Sequence, residues 1–198
     1  MPRLDSTVSL INQYLASGKL NRRSFQSSQM YGLIKLATVF PSSGPSVTQP
    51  VGFTKQGNET DAFIDDKYPF QSYHRVLGLD YSFTNVQQFG NGLSHIKETA
   101  RMTMVCFADP KRIDLTQEDL VFLVCSGFPT TFSKSQLGST KISKVDISPG
   151  SANIDSQKVL QGEYQGSYPK LPPQSIYFSL NYTIEMTVGR DCLDCQDC

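Results

Sequence analysis

Few residues in this chain are of a type and spacing that could do chemistry. The densest cluster is the end, Asp191-Cys192-Leu193-Asp194-Cys195-Gln196-Asp197-Cys198. Thiolates at Cys192, Cys195 and Cys198 are soft-metal ligands, but zinc takes four ligands and no neighbouring Cys or His supplies the fourth. The acidic neighbours also raise thiol pKa values, which opposes metallation. Three readings stay open for this tail: an unstructured end, which ranks first, then a contact between subunits, and last a metal site. The two histidines, His74 and His95, have no Ser or Cys nucleophile at a recognisable spacing, so each is expected to be an ordinary surface or packed residue. Asp65-Asp66 are adjacent and point apart in extended chain, which suits a solvated loop better than a catalytic dyad. Gly90-Asn91-Gly92 lacks the Gly and Lys of a phosphate loop and reads as a plain turn. Lys19, Arg22 and Arg23, flanked by Phe25, form a small basic patch. It suits a solvated turn, and secondarily contact with passing DNA phosphates. No catalytic constellation emerges, and neither an enzyme nor a resident cofactor is expected.

Composition narrows the field further. The chain has 198 residues, 38% hydrophobic and 18% charged, with 18 basic and 18 acidic side chains. A protein that grips nucleic acid through phosphates shows a basic excess; zero net charge argues against sequence-specific DNA or RNA binding. A neutral protein can still surround DNA without holding it. The N-terminus lacks the apolar core of a signal peptide, and no stretch approaches the ~18 apolar residues of a membrane span. Synthesis in the cytoplasm, with no membrane partner, is therefore expected. The odd count of five cysteines, three of them in the tail, is no secreted disulfide framework.

The elements that must position these residues follow from periodicity. Leu4, Val8, Ile11 and Leu15 predict a helix over 4–17, capped by Asp5 or Ser6 and stopped by Gly18. Residues 31–40 read as a strand. Residues 41–69, with Pro41, Pro45, Pro50 and Pro69, read as an extended arm. Its aromatics Phe53, Phe63 and Tyr68, with Phe70 just beyond, are expected to dock on another subunit. A strand is predicted over 71–84, passing Gly78 through a bulge. Another runs over 98–108 with Met102, Met104 and Cys106 on one face. Asp109 to Arg112 reads as a turn. Thr116 is the N-cap of the clearest helix, which Ser126-Gly127 ends before Pro129. Strands follow over 140–148, closed by Pro149-Gly150, and over 156–166. The last strand, 175–188, alternates strictly, with Ile176, Phe178, Leu180, Tyr182, Ile184, Met186 and Val188 on one face and a wet face opposite. The fold class is α+β: an antiparallel β-sheet packed by one or two helices on its apolar face, with long arm loops. Residues 1–190 form one domain and 191–198 the tail.

Several of these stretches, Tyr73-His74-Arg75-Val76-Leu77-Gly78, Val105-Cys106-Phe107-Ala108-Asp109, Leu115-Thr116-Gln117-Glu118-Asp119-Leu120 and the strand from Ile176 to Val188, resemble the small neck proteins of tailed bacteriophages. The texture is closest to ring proteins of crass-like and other phages of gut Bacteroidetes. The resemblance spans residues 70–190 and is one of pattern; the cysteine tail lies outside it. It implies a head–tail connector or tail terminator, a homo-oligomeric ring between portal and tail with DNA passing through its lumen. The partners would be copies of the chain and neighbouring portal, connector or tail proteins, located in the host cytoplasm during assembly and then in the virion. In that setting the arm would clasp a neighbour, and Lys19, Arg22 and Arg23 could face the lumen. The alternative is a monomeric small-ligand or peptide-binding α+β module, and the third reading an enzyme with an unrecognised site.

Overall fold

The alternating face from Phe178 to Val188 forces a strand with one fully buried side, and everything else is arranged about it. The computed structural model of the chain describes residues 2–22, 25, 27–40, 44–53, 59–61, 67–85, 94–137, 142–165 and 174–189. Among them are five helices, α1 Pro2–Ser17, α2 Pro110–Ile113, α3 Gln117–Gly127, α4 Lys134–Leu137 and α5 Ser156–Glu163. The strands are β1 Gln29–Val39, β2 Val47–Phe53, β3 Glu59–Asp61, β4 Phe70–Asn85, β5 Ser94–Ala108, β6 Thr131–Ser133, β7 Ile142–Asn153 and β8 Ile176–Gly189. They form one eight-stranded sheet in the order β3-β2-β1-β4-β5-β8-β7-β6. The α+β class is as the sequence predicts.

All pairings are antiparallel except β1 with β4, which run parallel. Parallel neighbours need a long crossover to bring the chain back to the same end of the sheet. The Pro-rich stretch after β1 is that crossover, and β2 and β3 are built within it. The segment 41–69 is therefore no free arm over its described length. Val51 is 2% exposed, and Thr48 exchanges two backbone hydrogen bonds of 2.9 Å with Gln165, just past α5. It clasps its own chain.

One core lies on the α1 and α3 side. Met102, Met104 and Cys106 of β5 and Phe178, Leu180, Ile184 and Met186 of β8 meet Leu4, Val8, Ile11 and Leu15 of α1 and Leu120 and Val124 of α3. Each such side chain contributes about 1.5–3 kcal/mol over exposure, which makes α1 an integral layer. Its first residue is Pro2, a position where the missing N–H breaks no intrahelical bond. Asp5 thus sits inside the first turn and, contrary to expectation, is not the cap.

The opposite face is not wholly wet. Val159 of α5 covers a smaller core of Ile34, Tyr73, Val105, Phe107 and Tyr177. The stretch 156–166, expected as a strand, is a helix because Asp155 accepts a hydrogen bond from the Lys158 N–H as N-cap, and the helical period puts Val159 and Glu163 on one buried side. Two further expectations shift. Asp109 caps a single helical turn, with Asp114 closing it at φ 52°, where a simple turn was expected. Pro149-Gly150 does not end β7; a register shift between Pro149 and Ala152 carries the strand on to Asn153. The bulge at Gly78 is present, between Val76 and Gly78. β6 and α4 had no counterpart in the sequence reading.

Thr116 caps α3 as predicted: its Oγ1 accepts from the Asp119 N–H at 3.1 Å and its hydroxyl donates to Asp119 Oδ2 at 2.7 Å. Thr116→Ala should lower unfolding stability by about 1 kcal/mol, and Thr116→Ser should retain most of it. Urea denaturation followed by circular dichroism measures both.

Candidate functional site

The most constrained polar group in the described chain is His74, in β4 on the α1 side. It is fully buried. Its Nε2 lies 2.9 Å from Asn12 Oδ1 of α1 and its Nδ1 2.7 Å from the Tyr182 hydroxyl of β8. Asn12 Nδ2 in turn donates to the Tyr31 carbonyl of β1 at 2.9 Å. The proton positions follow from that last bond. A carbonyl only accepts, so the amide nitrogen belongs there and Oδ1 faces the imidazole. An amide oxygen also only accepts, so Nε2 carries the hydrogen. Nδ1 is then bare and accepts from Tyr182. Burial pushes the His74 pKa down to about 3 and holds the Tyr182 hydroxyl protonated. The relay Tyr182–His74–Asn12–Tyr31 is uncharged throughout. A general base must reach the proton it takes, and His74 has no exposed surface; the relay fastens elements together.

A second polar cluster lies on the α5 side. Tyr73 donates to Glu163 Oε2 at 3.0 Å and Arg75 donates to Oε1 at 2.7 Å, tying the end of α5 to β4. Burial first, then the Glu163 charge, raises the Tyr73 pKa. His74 and Arg75 are consecutive and serve opposite faces, as strand alternation requires.

The residues singled out from sequence scatter. Lys19 and Arg22 are exposed just past α1, where Lys19 Cβ and Cγ would lie 2.9 Å from a Cβ placed on Gly127. Phe25, beside them, is buried edge-on against Phe70, with centroids 5.6 Å apart. Phe70 is 0% exposed, which corrects its assignment to a subunit contact: it opens β4 and points into the main core. Tyr68 is half-buried. The side chains of Phe53 and His95, and the residues Arg23, Phe63, Asp65, Asp66, Gly90 to Gly92, Cys192, Cys195 and Cys198, lie outside the described residues. Cys106 is buried and Cys125 half-buried. Among the described residues no three His, Cys, Asp or Glu side chains gather as a metal site, and no helix is long and apolar enough to cross a membrane.

What the sequence reading missed is an edge. β1 pairs with β4 only as far as Ile34 and Arg75, then follows β2. Beyond that, β4 from Val76 to Asn85 has β5 as its sole strand neighbour among the described residues. The edges at the two ends of the sheet are blunted in the usual ways. β3 and β6 are three residues each, and the outer side of β7 past β6 carries Pro149 and a bulge. The β4 run has no proline after its bulge and one charge, Asp80, which faces Arg101 at 3.7 Å. Leu77 is 48% exposed and Tyr81 58%. The low charge of Val76 to Asn85 was the available signal. A groove of about 700 Å³ also runs along α1, lined by Asn12, Gln13, Arg22, Phe25, Ser28 and Met30 among others.

No protein-family model matches the chain, and a comparison with curated proteins finds no match.

The relay generates a pH dependence of defined sign. The folded-state pKa of His74 lies below the ordinary 6.5, so the unfolded chain binds the extra proton. This contribution to stability is complete above pH 6.5 and falls as pH drops toward 3, by up to about 1.4 kcal/mol per pH unit. Urea midpoints taken from about pH 7.5 to about pH 4.5 should show that slope. In His74→Gln the midpoint at neutral pH should be lower and this part of the slope absent.

Proposed function

We propose that the chain is a structural subunit that assembles with copies of itself, as a ring in the neck of a tailed bacteriophage, between portal and tail, with DNA passing through the lumen. The open edge of β4 carries the assembly part of this reading. Unpaired strand N–H and C=O groups are a template for another strand. From Val76 to Asn85 this edge carries no proline and one charge, Asp80. Phe40 and Phe122, 79% and 74% exposed, lie just past β1 and on α3. Exposed apolar groups on more than one element suit the two-sided, head-to-tail contacts of a ring. Zero net charge suits a lumen through which DNA must slide. The neck setting rests on the sequence resemblance.

The groove along α1 favours a second reading, a monomeric small-ligand or peptide-binding module, since its volume falls in the range of ligand pockets.

The native mass of the purified chain separates the two. The ring reading predicts a defined oligomer, and predicts that Leu77→Lys with Tyr81→Lys weakens assembly at least about thirtyfold while the circular dichroism stays unchanged. A wild-type chain that stays monomeric at high concentration would overturn self-assembly. A double variant that assembles like the wild type would move the contact away from β4.

A further inference from the structure

The α5 side of the sheet buries three polar atoms that have no hydrogen-bond partner: Arg75 Nε, the Tyr164 hydroxyl and the Tyr177 hydroxyl. They come from β4, from the residue after α5 and from β8, which frame the smaller core. Tyr164 and Tyr177 are 6% and 3% exposed. The phenols are neighbours: Tyr164 lies close enough to Tyr31, Tyr73 and Tyr177 for the ionisation of one to oppose that of the other. Burial keeps the two unpaired phenols protonated, and a guanidinium Nε–H only donates. All three groups therefore lack an acceptor.

The carboxylate there, Glu163, reaches none of these three groups. Glu163 already receives Tyr73 on one oxygen and Arg75 on the other. An unmade hydrogen bond at a buried donor is costly, and native proteins leave few such groups unpaired. Two kinds of occupant remain, an anion or water. Arg75 is already neutralised by Glu163 at 2.7 Å, so an anion would add an uncompensated charge to a partly buried neutral pair. Water accepts and donates at no cost in charge, and buried waters commonly make about three such bonds.

We propose that ordered water molecules are bound between α5 and the sheet, accepting from the Tyr164 and Tyr177 hydroxyls and from Arg75 Nε. They complete a polar seam that includes Tyr73 and Glu163, where direct contact between α5 and the strands leaves donors unmet.

Tyr164→Phe and Tyr177→Phe delete only the hydroxyls, and the sign of their effect decides. A hydroxyl that holds a water contributes to stability, so each variant should lower Tm by about 2–4 °C. A hydroxyl with no partner at all is a liability, and its removal would leave Tm unchanged or raise it; that result in both variants overturns the proposal. Oxygen-17 relaxation dispersion of the solvent counts long-lived interior waters directly. The wild type should show them and each variant should lose at least one, whereas equal counts, or none in the wild type, would overturn it. Chloride and inorganic phosphate should leave the wild-type Tm unchanged; a rise abolished by either substitution would make the occupant an anion and refute the assignment to water.

Discussion

A neutral imidazole in one tautomer is the constraint on which the main layer depends. The Tyr31 carbonyl orients the Asn12 amide, the amide places the proton on His74 Nε2, and the bare Nδ1 takes the Tyr182 hydroxyl. Four elements, α1, β1, β4 and β8, are joined around one ring with no exposed surface. Apolar burial supplies most of the attraction between α1 and the sheet, but it is non-directional. A helix laid on Met102, Met104 and Leu180 by hydrophobicity alone could slide or turn. The relay has one solution for each donor and acceptor, and so fixes the register of α1 over the sheet. Tyr182 is further held by Phe128, with centroids 4.9 Å apart, which extends the constraint to the end of α3.

The opposite face is organised by charge. Arg75, next to His74 in the chain, turns to the α5 side and meets Glu163, and the smaller core around Tyr73 and Tyr177 has phenols where the larger one has methionine and leucine. Thr48 and Gln165 then fasten the crossover to the end of α5. β1 pairs with β4 only as far as Ile34 and with β2 from Lys35 on, so the outer side of β4 past Arg75 has no strand neighbour among the described residues.

Local rules made part of this legible. The alternation of β8, the Thr116 cap and the Gly78 bulge are each written within a few residues, and each is found. α5 departs from the expected strand because its only apolar side chains are the adjacent Val159 and Leu160; a helix that short depends on tertiary packing, here through Val159. Phe70 follows a Pro-rich stretch, which suggests a contact residue, although an aromatic there serves equally well as the first buried residue of a strand. The relay was not readable at all. His74 and Tyr182 are 108 positions apart, and His74 and Asn12 are 62 apart. Nothing local distinguishes a packed histidine from one that locks four elements. The β4 edge was hidden for the same reason, since which strand lacks a neighbour is a property of the whole sheet order.

The most direct test of this account is the protonation state of the His74 imidazole, read from its ¹⁵N shifts by NMR across a pH titration. The account predicts a protonated Nε2, an unprotonated Nδ1 with the shift of a hydrogen-bond acceptor, and no titration until the pH approaches about 3. A proton on Nδ1, or an imidazolium forming with a midpoint near the ordinary value of about 6.5, would contradict it.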